Sequence, residues 1–258
     1  MKRNIALLFS VIGLFSCQKV IQLNLNTSPT QIVIQGNVYD QAGPDTVKIT
    51  NSVRFDQSNV YPAVTGAKVT ISTNLGESEV LTEITSGVYI TSKLPGVPGR
   101  TYTLTVVTAG QTYTSISTMP YAVKIDSIYL KNSTFGKNKE ATIKFQDPAN
   151  VKNYYRVIEF VNNVKQNQFN VINDKVFEGK ITNYVIRGAV DKDIALKTGD
   201  KVSVWLESLD PDAYEYFRTA ITDSRESATP TNPVSNINNS ALGYFNACSV
   251  RKITLVIP

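Results

Sequence analysis

Residues 101–106 read Thr-Tyr-Thr-Leu-Thr-Val, so large apolar side chains alternate strictly with threonine. In an extended strand, successive side chains point to opposite faces, which gives this segment one apolar face and one hydroxyl face. Such a strand is typical of an antiparallel sheet with one buried side. Similar short segments follow one another from residue 31 to residue 118, between turn signals and without helical periodicity. The pattern predicts an immunoglobulin-like β-sandwich over residues 30–119.

A second region of alternating segments follows Met119-Pro120-Tyr121, where we place the domain boundary. It predicts an antiparallel β domain over residues 122–258, with strands that include 154–161, 201–209 and 250–257. The fold class predicted for the whole chain is therefore mainly β, an N-terminal immunoglobulin-like sandwich followed by a second antiparallel β domain with one short helix.

The helix is predicted near residues 211–224. Asp210 can accept hydrogen bonds from the free amides of a first turn, and Pro211 suits the first helical position. Three apolar residues then recur at spacings of three and four, which places them on one helix face. These are Tyr214, Phe217 and Ile221.

The N-terminal segment predicts export and lipid attachment. Two basic residues precede an apolar run, Ile5–Phe15, which is followed by Ser16-Cys17. The run is shorter than the roughly 20 residues that span a bilayer, so it indicates a signal peptide over residues 1–16 rather than a transmembrane anchor. A cysteine directly after the small residue resembles a bacterial lipoprotein processing site. We expect acylation, including palmitate, at Cys17 and a lipidated tether over residues 17–29, and the alternative is an ordinary cleaved signal with an incidental cysteine.

The composition argues against several classes of function. The formal charge of +5 includes Lys2 and Arg3 of the predicted signal and is otherwise dispersed, so a nucleic-acid partner is not expected. The chain has no histidine, which excludes catalysis by Ser-His-Asp or Cys-His and metal sites that use histidine. We expect no catalytic residues, no metal site and no cofactor, and ligand-binding residues are unknown at this stage. A hydrolase that depends on carboxylates alone stays open as a less favoured alternative.

Several residues have both a functional and a structural interpretation. The closest acid pairs, Asp191/Asp193 and Asp210/Asp212, lack the glycine-containing loop typical of a calcium site, and Asp210 is explained as a helix cap. Cys248 has no partner once Cys17 carries lipid, and we expect it to be buried rather than reactive. Trp205 is expected to pack on the sheet, with an exposed stacking site for a sugar or a peptide as the alternative.

Five segments, in this order and spacing, are similar to a known family. The chain resembles, from Cys17 to Pro258, the Bacteroidota outer-membrane lipoproteins grouped as domain of unknown function 4249. The segments are Ile32-Val33-Ile34-Gln35-Gly36, Val64 to Ile71, Gly96 to Tyr102, Lys124 to Ile128, and the stretch Pro233 to Ile237 with Ala241 to Phe245.

The resemblance implies an envelope protein that is often located beside a TonB-dependent outer-membrane receptor, and it carries over no catalytic residue. The function it favours is a non-catalytic accessory or binding partner of such a transporter, and the alternative is an adhesive or structural envelope lipoprotein. Residues 18–20 lack the acidic run of a surface-export signal, so either the periplasmic face or the cell surface is possible. Thr46 and Ser127 lie in motifs that look like envelope O-glycosylation sites, and whether they are modified stays open.

Overall fold

A computed structural model describes residues 29–54, 57–133, 139–186, 196–226 and 231–258. Within these ranges the chain forms fifteen strands and one α-helix, which confirms the predicted fold class. The helix, α1, is Pro211–Glu226, and the strands are β1 Ile32–Tyr39, β2 Thr46–Asn51, β3 Lys68–Thr73, β4 Ser78–Val80, β5 Thr82–Thr85, β6 Val88–Ile90, β7 Thr101–Thr108, β8 Gln111–Thr118, β9 Ile125–Asn132, β10 Lys139–Gln146, β11 Tyr154–Val161, β12 Val164–Asn173, β13 Ile181–Val185, β14 Lys201–Leu209 and β15 Leu242–Val256.

The strands form two layers. One layer is an eight-stranded sheet in the order β12-β11-β14-β15-β1-β2-β6-β5. The other layer consists of a four-stranded sheet, β4-β3-β7-β8, and a three-stranded sheet, β13-β10-β9. We call the face of the eight-stranded sheet that packs on these two smaller sheets its inner face, and the opposite side its outer face.

The 15-residue strand β15 joins the two β regions that the sequence separates at Met119–Tyr121. Its first half runs parallel to β1, with Leu242 opposite Val33, and its second half runs antiparallel to β14, with Lys252 opposite Trp205. The prediction of a strand at 250–257 was wrong about where β15 begins. The first half is buried on both faces, so it lacks the alternation that reveals a half-solvated strand.

The inner face contains two apolar cores. In β7 the predicted alternation is confirmed, because Tyr102, Leu104 and Val106 are buried while the threonines between them are half-buried. The first core lies between the four-stranded sheet and the β1 side of the large sheet, and the second lies beneath the three-stranded sheet. Their largest fully buried side chains include Tyr89, Tyr102, Phe145, Tyr155, Phe245, Leu104 and Leu206.

Helix α1 lies on the outer face. Asp210 caps it as predicted, since Oδ1 accepts hydrogen bonds from the amides of Asp212 at 2.9 Å and Ala213 at 2.8 Å. Ala213 and Phe217 are buried against β14 and β15. Within the described ranges, no helix combines the length and apolar character that crossing a bilayer requires.

Candidate functional site

The outer face arranges side chains from β12, β11, β14 and β15 in rows. Directly opposite residues of an antiparallel pair share a face, so the strand register identifies each row. One row beneath the helix consists of Val171, Arg156, Glu207 and Val250. Two ionisable side chains therefore lie next to each other in a layer that helix α1 covers.

Arg156 and Glu207 form a buried ion pair. Arg156 is 6% exposed and Glu207 is fully buried, and Nε of Arg156 lies 2.5 Å from Oε2 of Glu207. The guanidinium carbon lies 3.8 Å from the ring centroid of Phe217 in the helix, which adds a cation–π contact. Burial alone would lower the pKa of Arg156, but the charge and hydrogen bond of Glu207 raise it, so the arginine stays charged.

Other polar atoms beneath the helix lack hydrogen-bond partners among the described residues. They are Oε1 of Glu207, Oδ1 and Nδ2 of Asn246, and Oδ1 of Asn37. Asn37 and Asn246 lie opposite each other on β1 and β15. Each such atom costs about 1 to 3 kcal/mol of stability, so this layer is expensive to bury.

Tyrosines surround these polar groups. Tyr244 packs against Tyr216 at 4.8 Å between ring centroids, and against Phe217 at the same distance. Burial raises the pKa of Tyr216 to about 12 and raises the pKa of Tyr39 further, so both hydroxyls stay neutral at physiological pH. The covered layer is thus an aromatic enclosure around one ion pair.

A groove of about 390 Å³ lies beside the start of α1, between the helix and residues 234–238. Its carboxylates come from Asp212 and Glu215, and Glu215 forms an ion pair with Arg218 at 2.5 Å. Asp210, the other half of the predicted acid pair, is occupied, because it caps the helix and accepts a hydrogen bond from Ser117 on β8. Burial raises its pKa, although the hydrogen bonds from Ala213 and Ser117 oppose this change. Asp210 therefore anchors the helix to the N-terminal sandwich.

The structure does not bring the other sequence-predicted residues into one site. Cys17 and the pair Asp191/Asp193 lie outside the described residues. Cys248 is fully buried on the outer face beneath the helix, as predicted, and burial raises the pKa of its thiol.

Three further residues singled out from the sequence are half-buried: Thr46 on β2, Ser127 on β9 and Trp205 on β14. Trp205 packs against Phe160 and against the apolar cluster under the helix, as expected for a residue that packs on the sheet. Part of its surface is exposed, which the alternative of a stacking site requires.

Arg156 and Glu207 were not singled out by the sequence analysis. The available signal was charge inside largely apolar segments: Arg156 and Glu159 at residues 154–161, and Glu207 at residues 201–209. Charged residues are almost never fully buried without a partner, so a buried Arg156 requires a carboxylate, but the pattern alone does not choose between Glu159 and Glu207.

A family model matches residues 18–254, and no curated protein matches the chain. The match includes every strand from β1 to β14 and most of β15, so it covers both layers and the helix. The chain belongs to the family described as domain of unknown function (DUF4249).

Proposed function

We propose that the protein is a lipid-anchored, non-catalytic envelope lipoprotein of the Bacteroidota type that acts as an accessory partner of a TonB-dependent outer-membrane transporter. The observation that carries the proposal is Ser16-Cys17, placed directly after a basic start and an apolar run. Each buried methylene of an acyl chain contributes about 0.8 kcal/mol, and two chains hold a protein stably on a bilayer. Acylated Cys17 is then the contact with membrane lipid.

Under the proposal, the tether joins the first strand at one end of the sandwich, and that end faces the membrane. β1 begins at Ile32, opposite Asn51 at the end of β2, and the start of β15 lies beside it. The loop after β2 returns to the same end, where the amide of Asn51 donates to the carbonyl of Pro62. This loop exposes 74% of Val60 and 53% of Tyr61.

A tether of residues 17–29 spans at most about 45 Å when extended. Under the proposal, the end of the sandwich that bears Val60 and Tyr61 therefore stays within that distance of the membrane.

Lipidation is tested by labelling cells with radioactive palmitate. The unchanged chain should incorporate label and fractionate with outer membranes. Cys17→Ala should lose the label and leave the membrane fraction, whereas Cys248→Ala, which removes the buried thiol, should keep both properties. Label that persists in Cys17→Ala would reject the anchor.

The accessory role is tested by crosslinking mass spectrometry on intact cells with a tagged copy. Crosslinks to a TonB-dependent receptor that disappear in Cys17→Ala would support the proposal. Abundant protein without a barrel partner would reject it and favour the adhesive or structural alternative, in which loss of the protein changes attachment or envelope integrity and leaves nutrient uptake intact.

A further inference from the structure

The outer face continues beyond the helix as a patch of aromatic, basic and hydroxyl side chains that we call the open face. The strand register places Lys165, Phe160, Ser203 and Thr254 in one row, and Trp205 and Lys252 in the next. Lys165, Lys252 and Thr254 are exposed, and the other three are half-buried. The open face consists of Phe160, Lys165, Ser203, Trp205, Lys252 and Thr254.

Two aromatic rings form its centre. The ring centroids of Phe160 and Trp205 lie 4.7 Å apart with their planes tilted by 37°. Nζ of Lys252 lies 3.9 Å from the ring centroid of Trp205. The lysine is exposed and its stem is flexible, so it can swing away from the indole and leave that surface to another flat group.

Positive charge surrounds the two rings. Lys165 lies opposite Phe160, Lys252 opposite Trp205, and exposed Lys201 begins β14 at the same end. The paired positions described on this part of the face contain no carboxylate. Asp200, the residue before β14, accepts hydrogen bonds from the side chain of Asn162 and the amide of Lys197.

The charges are close enough to affect each other. The pKa of Lys165 is lowered, first by partial desolvation and then by the positive charge of Arg156 in the covered row under the helix. The negative charge of Glu207 opposes this lowering, but Glu207 is fully buried and paired with Arg156, so an anion on the open face would stabilise the charged lysine further. The patch therefore favours a negatively charged partner.

Hydroxyl groups complete the patch. Oγ of Ser203 and Oγ1 of Thr254 lie 2.8 Å apart and form a hydrogen bond across β14 and β15. Both atoms can accept and donate, so the pair can exchange this bond for bonds to hydroxyls of a ligand. From β12 to β15 the row crosses three strand spacings, about 14 Å.

We propose that the open face binds an acidic saccharide, with a sugar ring on Trp205 and carboxylates at Lys252 and Lys165. A sugar ring supplies the flat apolar surface that an indole accepts, its hydroxyls match Ser203 and Thr254, and its carboxylates match the lysines. A short oligosaccharide fits the length of the row. This inference goes beyond the accessory role and does not depend on a transporter.

The fluorescence of Trp205 tests the proposal directly, because it is the single tryptophan of the chain. Tetragalacturonate, a chain of four uronic acids, is titrated into the purified protein, and maltotetraose serves as the neutral control. Tetragalacturonate should shift the emission in a saturable way and bind less tightly as salt increases. Maltotetraose should bind at least about tenfold more weakly, since it lacks the charges.

Matched lysine variants separate the site from general positive charge. Lys252→Gln should weaken binding by about twofold to fivefold, as expected for one exposed ion pair. Lys93→Gln, which removes an exposed lysine from the other half of the molecule, should leave it unchanged. Trp205→Phe, followed by calorimetry, should weaken binding by a similar factor.

Three outcomes would overturn the proposal: no fluorescence change at millimolar tetragalacturonate, equal affinity for maltotetraose, or equal losses in Lys252→Gln and Lys93→Gln. Inorganic triphosphate that binds as tightly as tetragalacturonate would also overturn it, because charge alone would then explain the affinity. Lys252→Gln changes only an exposed side chain, so the comparison does not depend on a variant with a disturbed core.

Discussion

The two faces of the eight-stranded sheet are buried by opposite means. The inner face packs apolar side chains such as Val38, Phe245 and Leu206 against two smaller sheets. The outer face, under helix α1, buries an ion pair and asparagine atoms without partners among the described residues. The same four strands, β1, β15, β14 and β11, contribute to both faces.

The comparison separates the packing that stabilises the fold from buried groups that do not stabilise it. Apolar packing stabilises the fold at about 25 cal/mol per Å² of buried surface, whereas a buried ion pair is often no better than apolar residues of the same volume. The inner face therefore holds the sheet together. The outer face retains an ion pair and polar atoms that destabilise the fold when buried. Since stability does not explain them, we expect a binding function on this face.

The largest effect is expected from a substitution that disrupts the pairing of β1 with β15, since both faces of the sheet depend on it. A Cβ at Gly243 would lie 1.9 Å from the carbonyl oxygen of Ile34, so Gly243→Ala forces β1 and β15 apart. We expect the free energy of unfolding, measured by urea denaturation, to fall by about 4 kcal/mol or more. Gly76→Ala is the control: its φ of +87° is also positive, but a Cβ there meets nothing within 4 Å. It should cost about 1 to 2 kcal/mol, and equal losses for both would refute the steric explanation.

The next effect distinguishes the outer face from the inner one. Arg156→Met leaves the fully buried Glu207 without its partner and should cost about 3 to 5 kcal/mol in urea denaturation. The double variant Arg156→Met, Glu207→Met should recover most of this loss, because no charge then stays buried. If the double variant is as unstable as the single one, the arginine acts by packing rather than by charge.

Glu159 is a charged exception on the inner face, where it lies opposite Val204 and is 8% exposed, and Oγ of Ser208 on the same face lacks a partner among the described residues. Burial raises its pKa from 4.5 to about 7. Between these values the folded chain holds a proton that the unfolded chain releases, so the free energy of unfolding falls as pH rises through this range. Glu159→Gln should remove a loss on the order of 3 kcal/mol between pH 4.5 and 8.

The measurement is urea denaturation at several pH values, with exposed Glu178→Gln as the control that should leave the pH dependence unchanged. Part of the dependence should persist in Glu159→Gln, because burial also raises the pKa of Asp45 to about 7. Identical pH profiles for Glu159→Gln and the unchanged chain would contradict the prediction.

The smallest effect concerns the ring above the ion pair. Phe217→Leu removes the cation–π contact with Arg156 and should cost about 1 kcal/mol more in the unchanged chain than in Arg156→Met. Phe245→Leu, on the inner face, should cost the same in both backgrounds. A double-mutant cycle with urea denaturation measures the coupling free energy. A value near zero for Phe217 and Arg156 would show that the cation–π contact does not stabilise the fold.

The alternation in β7, which has one half-buried threonine face, predicts that strand well. The bounds predicted for β11 and β14 match the structure at residues 154–161 and 201–209, although β11 is buried on both faces, and the helix predicted near 211–224 is Pro211–Glu226. The predicted start of β15 was wrong, because its first half lies between polar residues and lacks the alternation of a half-solvated strand. The pairing of Arg156 with Glu207 depends on strand register, which no local pattern contains. The burial of Cys248 is confirmed, while the surroundings of Cys17 lie outside the described residues.

The parallel pairing of β15 with β1 also affects the order in which the eight-stranded sheet can assemble. A ribosome makes β1 first and β15 last, so the N-terminal sandwich emerges without the neighbour that completes its sheet. Until residues 242–248 arrive, β1 presents an open edge, and closing it requires one of the longest-range contacts of the chain. The eight-stranded sheet therefore cannot be completed before residues 242–248 have been made, however early its other strands form.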